Sequence, residues 1–250
     1  MASGPLPPGY AMAVRPASLR GNHAEHRFYS LVAVAAILVV FAGFARTFYL
    51  KYAFGTPPLS LLLLVHGVVM TSWFLLFIVQ TQLVAFGRTD LHRRFGVFGA
   101  VLALAILMLG PTVAVTAAKL GHSPGPPPLI FLVVPLVDML VFALLVGSAL
   151  WFRRSRSDIH KRLMLLSCVG LLTAAIARIP LGLIHDRGIV GYFSLTILGV
   201  IACAAYDTIH HRRLHPAFAW GGGLIILSWP LRLLLAGTPQ WLQFATWLVR

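Results

Sequence analysis

Seven stretches of mostly apolar residues divide this chain, each long enough to cross the hydrocarbon of a bilayer, which takes about 20 residues. They run from about Tyr29 to Leu50, Leu59 to Phe86, Phe95 to Ala118, Leu129 to Phe152, Leu163 to Leu181, Val190 to Tyr206 and Ala217 to Leu235. Backbone N–H and C=O groups find no water inside lipid, so such a segment must satisfy them within itself, as a helix. The expected fold class is therefore all-α, a polytopic transmembrane helix bundle of about seven spans built from repeated helical hairpins. Residues 1–28 are rich in Pro, Ala and Gly and are expected to form a disordered tail, with the bundle over 29–236. Residues 237–250 hold Trp241 and Trp247, which suit an interfacial segment.

Composition agrees. Charged residues make up 10% of the chain, against about 25% in a soluble domain. Lys and Arg outnumber Asp and Glu by 20 to 6, a bias that in other settings marks a nucleic-acid binder. Here the basic residues sit in short loops between apolar runs, so the expected partner is the lipid bilayer, anionic lipid included, and not nucleic acid. The loops on the side of the N-terminus carry 13 Lys and Arg and the other side 7, which places the N-terminus in the cytoplasm. Cys168 and Cys203 both lie within apolar runs and read as small buried hydrophobes. Gly110-Pro111 is expected to bend the third span, and Gly221, Gly222 and Gly223 to let the seventh approach a neighbour.

A repeat runs through the hairpins. Each odd-numbered span begins just after a histidine: "HRFY" at His26, "HRRF" at His92, "HKRL" at His160 and "HPAF" at His215. The stretch "DIHKRLMLLS" from Asp158 has a weaker copy, "DLHRRFGVFG", from Asp90. Three of these spans carry an arginine near the far end, Arg46, Arg178 and Arg232. At about 1.5 Å per residue, histidine and arginine then mark opposite faces of the membrane. Basic residues at helix ends fix topology, and a helix N-terminus with His160, Lys161 and Arg162 also suits a lipid phosphate.

Ionisable residues within a span are costly and mark function. Asp138 and His66 both lie inside spans, in the half away from the N-terminus, and a contact between them is the preferred pairing. Arg46, Arg178 and Arg232 would cap the same cavity and, with Asp138, bind an anion or acidic headgroup. A second reading gives the histidines a cofactor. Haem b needs two imidazoles at equal depth on facing helices. His92 and His160 belong to an inner set, with His210 or His215, while His66 and His185 form an outer one. Quinone is the alternative cofactor. HExxH, P-loop and G-x-S-x-G patterns are all missing, so no metal site and no classical hydrolase or nucleotide chemistry is expected, and the sequence singles out no catalytic residue.

The pieces "FARTFYLKYAFGTPPLS", "VHGVVMTSWFLLFIVQTQLVAFGRTDLHRRFG", "DIHKRLMLLS…AAIARIP" and "HPAFAWGG…PLRLLLAGTP" cover most of the chain. In these it resembles an uncharacterised bacterial family of multi-pass inner-membrane proteins, which implies that location. A fainter similarity, in the H…HR/HK hairpin pattern, runs to membrane proteins of haem and terminal-oxidase assembly. The resulting expectation is a cofactor-handling redox or assembly protein. The alternative is a transporter, sensor or lipid- or anion-binding module with its site in the outer half of the bundle.

Overall fold

The computed structural model describes residues 17–180, 182 and 188–250, and every regular element among them is helical. Helix α1 (Ala17–Phe44) ends in a single π-helical turn, Ala45–Tyr49. Helices α2 (Leu61–Ala85), α3 (Thr89–Lys119), α4 (Pro128–Phe131) and α5 (Val133–Phe152) follow. Then come α6 (Ser157–Leu171), α7 (Thr173–Ile176), α8 (Gly188–His211), α9 (Pro216–Ala236) and α10 (Pro239–Leu248). Because α1 begins at Ala17, the later part of the stretch expected as a tail is helical.

Among the described residues, seven helical segments are long and apolar enough to cross a membrane, as the seven apolar stretches predict. The chain is a multi-pass membrane protein. Its outer surface is apolar at every depth: Leu31, Leu38, Val97, Leu104, Met108, Leu198, Leu227 and Leu234 all point outward. In water such a surface would aggregate, whereas in lipid it is solvated.

Packing is tightest within the hairpins α2–α3 and α5–α6, with α1 against α2 and α9 against α5 and α6. The span formed by α6 and α7 is the central element, more deeply buried than any other span among the described residues. Leu163, Leu165, Leu166 and Cys168 on α6 are enclosed, and Trp73 meets Phe142 edge-on at 5.1 Å beside them. The α2 stripe of Met70, Trp73 and Phe77 is core packing. Cys168 and Cys203 are free and buried.

A Cβ on Gly221 would stand 2.8 Å from Leu166 and 2.9 Å from Leu163, so the close approach expected of α9 occurs there. Gly223 faces open space and does not share in it. Helix α3 runs unbroken through Pro111. After Gly237 the chain turns back, and α10 covers the start of α5: Trp241 and Ala245 pack on Leu132 and Val133. The Trp241 indole N–H donates to the Leu129 carbonyl at 2.8 Å.

Candidate functional site

The first four backbone N–H groups of a helix have no partner within it, and an arginine, which only donates, cannot serve them, so at α3 and α6 the arginine ahead of the helix turns to an aspartate instead. Arg88 precedes α3 and Arg156 precedes α6, each two residues before an aspartate. Arg156 holds Asp158 through two bonds, Nε to Oδ1 at 3.1 Å and Nη2 to Oδ2 at 3.0 Å. Arg88 stands 3.9 Å from Asp90. The repeat noticed at Asp90 and Asp158 therefore reaches back to an arginine, R-[ST]-D-[LI]-H, a signal the shorter motif missed. At α9 the cap is His215, whose Nδ1 accepts from the Ala217 N–H at 3.1 Å. Nε2 must then carry the proton that is given to Asp158 Oδ2, 3.0 Å away.

The two repeat histidines meet. The rings of His92 on α3 and His160 on α6 lie 6.4 Å apart between centroids, nearly perpendicular. His160 Nδ1 is 2.8 Å from the Ala149 carbonyl, which can only accept, so that nitrogen is protonated and Nε2 is left with its lone pair. Gln80 donates to the His92 carbonyl at 3.2 Å, and His92 Nδ1 is buried without a hydrogen-bond partner among the described residues. Each hairpin thus positions its own histidine from the preceding helix. The rest of the expected inner set goes elsewhere: His215 serves Asp158, and His210 stacks on Tyr206 at 6.0 Å.

The opposite half holds a second arrangement. Arg232 on α9 is buried, and its Nη1 stands 2.7 Å from Asp138 Oδ1 on α5, an ion pair without a well-aligned hydrogen bond. Its Nη2 donates to Ser228 Oγ at 3.1 Å, one helical turn earlier. The guanidinium lies over the Phe193 ring, 4.9 Å from its centroid, and Phe193 in turn touches Trp229 at 5.7 Å. Arg232 Nε and Trp229 Nε1 are buried donors with no hydrogen-bond partner among the described residues.

Arg232 and Phe193 form a partition between two spaces. On one side a narrow space bordered by Asp138, Ser167, Thr173 and Thr196 has room for about one water molecule. On the other an apolar cleft of about 120 Å³, part of it open outward, runs between α4–α5, α8 and α9. Ile130, Val134, Ile189, Trp229 and Leu233 line it.

Two pairings expected from the sequence are corrected here. His66 does not meet Asp138: among the described residues no ion pair or hydrogen bond joins them, and Asp138 is taken by Arg232. Asp138 is on α5, which packs against α3, α6 and α9, while α2 carries His66 against α1 and α3. Nor do the three arginines cap one cavity. Arg46 lies over Phe54 and Arg178 over Phe44, both exposed at the α1 side of the bundle, and only Arg232 lines the cleft. His185 lies outside the described residues. Phe193, Ser228 and Trp229 were not singled out in the sequence. Ser228 is detectable there only as the residue one turn before Arg232.

Compared with family models, with curated proteins and with solved structures, the chain matches none.

Proposed function

We propose that this protein binds a lipophilic quinone in the outer half of its bundle, within the inner membrane of a bacterium and with its N-terminus cytoplasmic. The observation that carries this reading is the pair of buried, unpartnered donors, Arg232 Nε and Trp229 Nε1, at an apolar cleft. A buried N–H without an acceptor costs about 1–3 kcal/mol, and a carbonyl oxygen arriving from the cleft removes that cost. Charge favours a neutral acceptor. Arg232 is already balanced by Asp138, so a carboxylate would leave the site with a net negative charge in a low-dielectric region, while a quinone carbonyl adds none. The aliphatic and aromatic lining suits the ring and its isoprenoid tail.

The test is extraction and rebinding. Detergent-purified protein, extracted with organic solvent, is expected to release quinone by mass spectrometry. A short-chain quinone should quench tryptophan fluorescence saturably in the delipidated protein. Arg232→Gln should weaken binding by roughly 10- to 100-fold, the loss of one hydrogen bond to a charged group. Equal binding of a saturated fatty acid, or an unchanged affinity in Arg232→Gln, would sink the reading.

The His92–His160 pair supports a second reading, haem b held between two imidazoles at the N-terminal face. Its support is the 6.4 Å ring separation together with the His160 tautomer that leaves Nε2 free. An absorption spectrum of the purified protein decides it: a Soret band lost in His160→Ala supports the pair, and a flat spectrum after haem supplementation removes it.

A further inference from the structure

The N-terminal face carries a second cluster that neither reading uses. Glu25 comes from α1, and Asp207 and His211 come from the last turns of α8, one helical turn apart on the same face. One donor atom from each lies within 4.8 Å of the others. The two helices are held together at this point: Phe28 stacks on Tyr206 at 3.9 Å, and the Tyr206 hydroxyl donates to the Ala24 carbonyl at 3.2 Å.

The carboxylate of Asp207 is used on one side alone. Oδ1 accepts from Arg162 Nε at 3.0 Å, faces Arg162 Nη2 at 2.7 Å and lies 3.4 Å from His211 Nδ1. Oδ2 is buried and has no hydrogen-bond partner among the described residues, although the side chain is only 5% exposed. Arg162 does not serve it: Nε and Nη2 both face Oδ1, and Nη1 donates to the Asp158 carbonyl at 2.9 Å. A buried carboxylate oxygen with no donor is costly, and a cation is one way to satisfy it. Glu25 is held by Lys161, whose side chain is 37% exposed and free to swing into water. His211 is equally exposed, and with Nδ1 donating to the Asp207 carbonyl at 2.9 Å its Nε2 keeps the lone pair for an ion.

We propose that Glu25, Asp207 and His211 form a binding site for a divalent transition-metal ion of the zinc type. One imidazole and two carboxylates are the donor set that such borderline cations accept, whereas calcium and magnesium take oxygen alone. The ion displaces the Lys161 ammonium from Glu25 and takes up the idle side of Asp207. In doing so it ties α1 to α8 at the membrane surface.

The experiment uses full-length protein without a histidine tag, stripped with chelator in detergent and titrated with Zn²⁺ by calorimetry. One Zn²⁺ per chain is expected. His211→Ala should weaken it by at least the roughly tenfold that losing even an outer ligand partner costs. Glu25→Gln should weaken it likewise. Lys161→Ala should tighten it, since a competing cation is gone. His211 and Glu25 are outside the apolar core, so these variants are expected to fold, and an unchanged gel-filtration profile checks that. The proposal is overturned by three results: no heat of binding up to about millimolar Zn²⁺, an affinity unmoved by His211→Ala, or binding lost only when His92 and His160 are replaced together.

Discussion

The two halves of the bundle treat charge in opposite ways. At the N-terminal face, acids and bases from four helices interlock. Glu25 meets Lys161, Asp207 meets Arg162 and His211, and Asp158 meets Arg156 and His215. In the other half, among the described residues, one pair, Asp138 with Arg232, stands apart, and its guanidinium keeps an unused donor beside a cleft. The first arrangement clamps helix ends to one another. The second holds a charge in place at the cost of leaving it incompletely satisfied. Structural ion pairs consume their donors, so the cleft is recognised by the guanidinium N–H left over, as the Glu25–Asp207–His211 cluster is by the idle oxygen of Asp207.

The largest expected effect breaks the clamp. Asp207→Leu strands the buried Arg162 guanidinium at the N-terminal end of the bundle and should destabilise the protein by about 3–5 kcal/mol, measured by denaturant unfolding in detergent. Replacing Arg162 by Leu as well should restore most of that loss, because removing both charges removes the desolvation cost. If the double variant were as unstable as the single one, the clamp would be acting through something other than charge pairing.

Next comes the binding half. Asp138→Asn removes the counter-charge and leaves Arg232 positive. Quinone affinity should then change little, while a fatty-acid carboxylate gains roughly tenfold or more, since it now neutralises the site. Competition between the two ligands in the same fluorescence titration reads that reversal. A carboxylate excluded as strongly as in the parent protein would mean that Asp138 does not set the charge of the cleft.

Smaller effects sharpen the clamp. Gly221→Ala puts a methyl 2.8 Å from Leu166, and the crowding should cost about 1–3 kcal/mol in the same unfolding measurement. His215 supplies a pH signature. Burial lowers its pKa below the ordinary 6.5, against the opposing pull of the Asp158 hydrogen bond. The unfolded chain therefore binds the proton more readily than the folded one, so stability is complete above pH 6.5 and falls as pH drops below it. The geometry agrees, because protonating Nδ1 breaks the cap on Ala217. His215→Ala should cost about 1 kcal/mol and flatten that part of the pH profile. The smallest effect is Lys161→Ala, which opens a partly buried pair at the end of the bundle and should cost about 1 kcal/mol or less.

Much of this was readable in one dimension. The seven apolar stretches demand helices wherever they meet lipid, because an unsatisfied backbone has no alternative there. The histidine thresholds at His92 and His160 were legible because each follows from the same local motif, and the structure sets these two side by side. Asp138 and Arg232 could each be singled out as a charge inside a span, yet their pairing could not. A period of 3.6 residues says which face of its own helix a side chain occupies, but not which neighbour that face meets.

The sequence by itself therefore determined the class of fold, the number of spans, the burial of both cysteines and the charged thresholds. Each of these depends on hydropathy and on spacing within one segment. Only the tertiary structure decided that Asp138 belongs to Arg232 and not to His66, that Arg46 and Arg178 stand away from the cleft, and that Glu25 joins Asp207 and His211. Helices in lipid associate through packing detail, such as the small Gly221 surface that admits α9 to the centre, because no difference in hydrophobicity sorts one apolar face from another.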